Sequence, residues 1–543
     1  MLFTLILWGY MTLVCLLAGD AVCRVLRLEK DLPLPAVALL GWAGLTNFLG
    51  YVWLAVPVGI PVHAAVLVAL VWLGWTRKSY WKARLTTLPA HPTSFWLATV
   101  VCGAVILTRT THLPRLLDTG GYHAPMIRWI SEYAVVPGLA NVNYRFGFNN
   151  ASFLTEAFFS FRFPGTPSFH VLNGWLMLVV SLWSLDALSS SEKLSNRYVF
   201  GMGVLFLWHA HWRLSSPTPD HPAQLLVGLV FYLLLRRMEG SCGRGESLLV
   251  VWLALLAFTI KMSTLVLLAV PVALFGVAVF RKNYRLAGGF VVAGLIPLVW
   301  WLAANVVLTG YILYPTDAAL LDWFSVDWKV PQVTIQQGLK NLSGGTKLSP
   351  VKGLLDFSWV PHWSVTQPIP DKVVFLLLFG WPLVAVLGWK KVRAFARTYP
   401  LWVWLVAVAY SGVAFWFINA PELRFGMGFI MAALLLGYLP LVKLRHIQLL
   451  HLGLAFFFVT LLYASFNRQR PAWLFPEDYP VARVRSYRLG GYRVFFATDD
   501  PKTTHGIYGY WGNCQDTELP CSPYYNPGLE LRGGELKDGF RGK

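Results

Sequence analysis

Apolar residues along this chain come in long uninterrupted blocks rather than in alternation. A helix needs about 17–25 apolar residues to cross a bilayer. Blocks of this kind fall at 2–19, 34–51, 59–76, 94–110, 168–185, 198–212, 222–235, 247–260, 263–280, 287–308, 372–389, 400–418, 425–442 and 448–466. The pattern predicts an all-α polytopic membrane protein with about fourteen transmembrane helices, a few of them short enough to be half-helices or tilted. The first block, Met1 to Gly19, lacks a basic n-region and a small-x-small cleavage site, so it reads as a retained helix rather than a signal peptide.

Basic clusters punctuate these blocks. Arg24, Arg27 and Lys30 follow the first block, Arg77, Lys78, Lys82 and Arg84 the third, and Arg236, Arg237 and Arg244 the seventh. Arg281, Lys282 and Arg285 follow the ninth, Lys390, Lys391, Arg393 and Arg397 the eleventh, and Lys443 and Arg445 the thirteenth. All lie on one side, and the positive-inside rule makes that side cytoplasmic. The expected location is a bacterial inner (cytoplasmic) membrane, crossed many times, with both termini extracytoplasmic. Loops 111–167, 213–221, 309–371 and 419–424 and the tail 467–543 then share the extracytoplasmic side. The expected organisation is a transmembrane domain over 1–466, with large loops at 111–167 and 309–371, and a small α+β or β-rich extracytoplasmic region over 467–543. No internal repeat is visible, which weakens an inverted-repeat transporter.

Composition sharpens this picture. The 543 residues are 56% hydrophobic and 13% charged, against about 25% charged in soluble domains. The net charge of +19 sits largely in the clusters just named, so it reads as a topology signal and not as a nucleic-acid surface. In the tail, Tyr487 to Thr498 carries a Gly-Gly turn between β-rich runs, a hairpin signal. Cys514 and Cys521 stand there with six residues between them, and on an oxidising face they are expected to form a disulfide. Metal binding by this pair is disfavoured, since only His505 is near. Cys15, Cys23, Cys102 and Cys242 lie in or beside apolar blocks and read as small hydrophobes or free thiols.

Polar motifs gather on the predicted outer side. Asp118-Thr-Gly-Gly-Tyr122-His123-Ala-Pro precedes a stretch, His123 to Ala134, with Arg128, Ser131 and Glu132 on one side and Met126, Ile127, Ile130, Tyr133 and Ala134 apolar. That spacing predicts a short interfacial amphipathic helix. Asp118 is either a plain loop residue there or a base, with His123 and Arg145 tuning it. Tyr144-Arg145-Phe-Gly-Phe-Asn149-Asn150 follows. In Ser215-Ser216-Pro217-Thr218-Pro219-Asp220-His221-Pro222, Asp220 either caps the next helix or works in a site. His209, His211 and His221 invite a metal reading, but residues two apart on a helix point away from each other. Lys261 breaks the positive-inside pattern, by snorkelling or by pairing with a carboxylate or phosphate. Arg424, in Ala420-Pro421-Glu422-Leu423-Arg424-Phe425-Gly426, either clamps Glu422 or grips phosphate bidentately. Tyr311, Tyr314-Pro315, Asp322-Trp323 and Asp327-Trp328-Lys329 are either interface anchors or sugar-stacking walls.

Together the motifs Asp-x-x-x-Tyr-His, Ser-Pro-x-Pro-Asp, Tyr-Pro…Val-Asp-Trp and Ala-Pro-Glu-x-Arg-Phe-Gly resemble an uncharacterised bacterial branch of the GT-C superfamily. These are membrane glycosyltransferases that use polyprenyl-phosphate sugars. The resemblance implies transfer of a sugar from a polyprenyl-phosphate carrier to a glycan, lipid or protein acceptor, with inversion. It implies catalytic roles for Asp118 and Asp220, Asp118 being the base. Tyr122, His123, Arg128, Tyr144, Arg145, His221, Lys261, Tyr314, Glu422 and Arg424 are its expected substrate and carrier-phosphate contacts. No metal ligand is expected from the chain, and a divalent Mg or Mn cofactor stays open. The chain departs from the pattern in two respects. Its acidic loop follows the fourth block rather than the first, and the usual paired acids are replaced by Asp118-Thr-Gly-Gly. The rivals are a polysaccharide polymerase or ligase using lipid-diphosphate-linked oligosaccharide, a transporter or flippase of lipid-linked saccharide, and a structural membrane subunit whose tail binds a partner.

Overall fold

A computed structural model describes residues 1–28, 32–86, 90–114, 116–162, 168–188, 193–240, 243–316, 321–347, 356–442, 447–468, 473–476, 484–497 and 514–542. Lys30, Cys242, Lys443, Arg445, Thr498 and His505 lie outside the described residues.

The chain is mainly helical. The first half contains α1 (Leu2–Val25), α2 (Leu34–Trp53), α3 (Ile60–Thr76), α4 (Lys78–Thr86), α5 (Thr93–Thr110), α6 (Ala124–Glu132), α7 (Ser152–Phe158), α8 (Leu172–Leu188), α9 (Leu194–Ala210), α10 (Asp220–Met238) and α11 (Arg244–Ile260). There follow α12 (Ala269–Phe280), α13 (Tyr284–Thr309), α14 (Gln332–Lys347), α15 (Val360–Thr366), α16 (Ile369–Leu387), α17 (Trp389–Thr398), α18 (Pro400–Asn419), α19 (Leu423–Tyr438) and α20 (Ile447–Arg468).

Each apolar block coincides with a helix, or at 263–280 with a 3-10 stretch, Met262–Leu268, running into α12. Fourteen crossings are nevertheless not supported. Among the described residues seven helices are long and apolar enough to span a membrane, or eight if α3 and α4, bent by 72° at their junction, count as one. Length is one reason and charge another, since α10, 19 residues long, carries Asp220, Arg236 and Arg237. Helices α8, α9 and α11 have 17 residues and α19 has 16, so they rise only about 24–26 Å against a hydrocarbon core of about 30 Å.

Burial sorts the helices into an inner and an outer set. Every residue of α10 from Asp220 to Arg236 is buried, whereas α16 buries only Val374, Phe375 and Leu378. The outer faces stay apolar: Val272 is 70% exposed and Phe280 is 89% exposed. An apolar exterior around a packed helical interior is how a polytopic membrane protein meets lipid. Where two helices must touch backbone to backbone, glycine permits it. A Cβ on Gly41 of α2 would sit 1.7 Å from the Cys15 carbonyl oxygen of α1, the close small-residue contact common between apolar helices.

The tail holds the expected hairpin. Strands β1 (Val484–Leu489) and β2 (Tyr492–Ala497) pair antiparallel, Leu489 opposite Tyr492, across Gly490-Gly491. Gly490 has φ of 60°, which a side chain would resist. Strand β3 (Cys521–Ser522) adds to β2 in parallel, and β4 (Leu529–Leu531) pairs with β5 (Phe540–Gly542). Cys514 and Cys521 are disulfide-bonded. The tail also reaches back to the 111–167 loop: Gln515 N–H donates to the Gly120 carbonyl at 3.0 Å, and Phe540 N–H donates to the Pro137 carbonyl at 2.9 Å.

Candidate functional site

Five separated segments bring charge to one cavity of about 410 Å³. Asp118 precedes a single π-helical turn, Thr119–His123, which runs directly into α6. Such turns recur at functional sites. Arg145 lies in a 3-10 turn, Tyr144–Phe148, whose entry is fixed by Asn143 accepting from the Arg145 amide at 3.1 Å. Asp220 opens α10, Lys261 closes α11, and Glu422 and Arg424 open α19.

The side chains form a continuous ionic chain. Asp118 accepts from the Arg145 guanidinium through Oδ1 at 3.1 Å and from the Arg424 guanidinium through Oδ2 at 3.1 Å. Arg424 also stands 3.9 Å from Asp220, whose other oxygen accepts from the Lys261 ammonium. Glu422 approaches the Arg424 Nε at 2.5 Å. Three carboxylates thus face three cations. Aromatic faces support the cations: Phe425 lies 3.9 Å from Lys261 and 4.7 Å from Arg424, and Tyr122 lies 5.6 Å from Arg145.

The surroundings fix protonation at neutral pH. Burial raises the Asp118 pKa, but the charges of His123, Arg424 and Arg145 outweigh it and hold the pKa below the ordinary 3.8. His123 is itself pushed down to about 3, first by burial, so it is neutral at physiological pH and the two arginines carry the effect. Tyr122 is held well above 10 by burial, with Asp118 and Asp220 adding to it, and stays a hydroxyl donor.

The supporting contacts are specific. Thr119 and Ser216 share a hydrogen bond at 2.5 Å, tying the acidic turn to the Ser-Pro motif. Asn173 donates to the Ser216 and Thr218 carbonyls at 2.7 and 3.0 Å. The Tyr314 hydroxyl donates to the Tyr144 carbonyl at 2.9 Å, and Tyr144 accepts from the Arg145 Nε at 3.2 Å. Behind the acidic turn sits the tail: a Cβ on Gly120 would meet the Gln515 amide oxygen at 2.3 Å.

Of the residues singled out in the sequence, Asp118, Tyr122, His123, Tyr144, Arg145, Asp220, Lys261, Glu422 and Arg424 all line the cavity. Tyr314 stands one layer behind, positioning Tyr144. His221 does not reach the cavity; it is 1% exposed and lies edge-on to Phe206. Arg128 also lies elsewhere. It joins Glu132 at 2.8 Å and, with Arg162, surrounds Asp516, which Arg162 meets at 2.7 Å. The predicted amphipathic helix exists as α6, but its apolar side, Met126, Ile127, Trp129 and Ile130, is buried by protein. Among the described residues, no group of three or more His, Cys, Asp or Glu is disposed to hold a metal ion. Asn150 and Thr218 enter the lining from motifs already quoted, Phe148 and Ser263 enter it without having been singled out, and the tail pair Gln515 and Asp516, against the acidic turn and α6, was not anticipated. The lining residues lie within or beside motifs already noted, whereas no local pattern marks the tail pair.

The chain belongs to the family described as "Domain of unknown function (DUF8201)", whose model matches residues 1–431. That range takes in every charged residue of the cavity and stops short of the tail. No curated protein and no solved structure matches the chain.

Proposed function

We propose that this protein is a membrane glycosyltransferase of the GT-C type, moving a sugar from a polyprenyl-phosphate carrier to a glycan, lipid or protein acceptor at the extracytoplasmic face of a bacterial inner membrane. The observation that carries this reading is the convergence of Asp118, Asp220, Arg145, Lys261 and Arg424 on one cavity at one end of an apolar bundle. Ionisable groups are costly to place there and by default mark function. The cations are suited to a leaving phosphate, whose developing charge they offset. Asp118 is suited to accept the proton of the acceptor hydroxyl as it attacks the anomeric carbon from the face opposite the phosphate, with inversion.

A carboxylate held by two arginines is a weak base. In this reading the carrier phosphate competes for Arg145 and Arg424 as it enters. Loss of those contacts lifts the Asp118 pKa at the moment a base is needed. The test is transfer by the purified full-length protein from a polyprenyl-monophosphate sugar. Asp118→Asn is expected to fold and to lose about 10²–10⁴-fold in rate; an active Asp118→Asn protein overturns the base assignment. Activity only with a diphosphate-linked oligosaccharide identifies a polymerase or ligase instead, and saccharide movement across vesicles without transfer identifies a transporter.

A further inference from the structure

A second charged cavity lies at the opposite end of the bundle. It holds about 390 Å³ between the end of α1, the start of α11 and the start of α13, and Arg27, Arg244 and Arg285 open onto it. The backbone brings these elements close: a Cβ on Gly245 would sit 2.1 Å from the Leu26 carbonyl oxygen. Arg27 occupies the left-handed position that ends α1, with φ of 51°, where glycine or asparagine is usual. The Leu28 amide behind it donates to the Cys23 carbonyl at 2.9 Å, so the turn is closed and the exposed arginine is held at the rim.

Among the described residues none of Arg27, Arg244 and Arg285 pairs with a carboxylate. Among the described residues Glu246 is the one acid lining the cavity, and it is taken by Arg236 at 3.2 Å and by the Gly243 amide at 3.2 Å. Arg244 donates to the Arg285 carbonyl, at 3.4 Å. The remaining wall is apolar, from Val25, Leu26, Leu28 and Leu248. Val25 is 82% exposed, and nearby Phe280 and Tyr284 also face outward. A free anion gains nothing from such a wall; an acyl chain does.

We infer that this cavity binds the phosphate head group of an anionic membrane lipid, its glycerol and first acyl carbons lying on Val25, Leu28 and Leu248. Basic pockets between membrane helices are suited to such head groups. This inference is independent of the transfer reading.

The experiment is native mass spectrometry of the detergent-purified full chain titrated with phosphatidylglycerol, with phosphatidylcholine, and with inorganic phosphate as competitor. Retention of phosphatidylglycerol at least tenfold over phosphatidylcholine is expected, undisturbed by millimolar phosphate. In R27Q/R244Q/R285Q it is expected to weaken on the order of 10²-fold, with the melting temperature of lipid-free protein kept. Should the triple variant not fold, R285Q alone is expected to weaken retention about 5-fold. Equal retention of both lipids, or unchanged retention in the folded variant, overturns the inference. Displacement by inorganic phosphate overturns the lipid assignment in favour of a free-phosphate site.

Discussion

His123 and Asp118 respond to acid in ways that can be told apart. The folded pKa of His123 lies below that of the free side chain, from 6.5 down to about 3. Between those values the unfolded chain binds a proton that the folded chain refuses. Stability is therefore expected to fall as pH drops through this window, by about 1.4 kcal/mol per unit at most. His123→Gln is expected to flatten the difference in melting temperature between pH 6.5 and pH 4, and an unchanged slope would remove His123 as its source. Asp118 has a lowered folded pKa, so its contribution is present above 3.8 and lost only below it. The kcat/KM profile is accordingly expected to show no acid limb from Asp118 down to about pH 4, while the kcat limb, reporting the loaded site, lies higher. A second residue-scale expectation concerns Lys261. Lys261→Met strips the closest partner from Asp220, a buried carboxylate, and should cost about 3–5 kcal/mol. Lys261→Met with Asp220→Asn should recover much of that loss in the same thermal assay; a double variant as unstable as the single would mean the pair is not the reason.

Among elements, the π-helical turn that follows Asp118 is the one whose shape is set from far away. Gly120 leaves room for the Gln515 side chain, and the Gly120 carbonyl receives the Gln515 amide. Gly120→Ala forces these together and should destabilise by about 1–3 kcal/mol. Adding Gln515→Ala should return most of it; strict additivity in a double-mutant cycle would show that the two do not touch. The disulfide of the tail closes the loop that carries Gln515 and Asp516. Cys514→Ser with Cys521→Ser is expected to lower activity through this turn while leaving detergent extraction and helical content intact. A loss of helical content instead would make the bond a global staple.

Across the whole molecule, legibility followed the range of the interaction. The helices were visible because long apolar blocks announce themselves locally, and the hairpin because Gly490-Gly491 does. The cavity was largely visible as well, since an acid or a cation beside an apolar block is conspicuous wherever it falls. The number of spanning helices was not, because 16- and 17-residue helices of the interior are apolar on account of packing against other helices and not only against lipid. The fates of Arg128 and His221 were equally hidden. Each sits in a promising motif, yet Arg128 turns to Asp516 and His221 turns inward to Phe206. The partner of Arg128 lies 388 positions away and that of His221 on the preceding helix, and neither period nor spacing gives a sign of either.

The bond between Arg128 and the Asp516 carbonyl spans 388 positions. A ribosome adding about 5–20 residues per second needs roughly 20–80 s to cover that stretch. Throughout that time the nascent protein already owns the Asp118 turn, but the Gln515 contact that backs it is still to come. Arg145, Asp220 and Lys261 are made early in that interval and Glu422 and Arg424 late in it, so the turn gains its full set of partners only when the 514–542 segment has been made and has folded back.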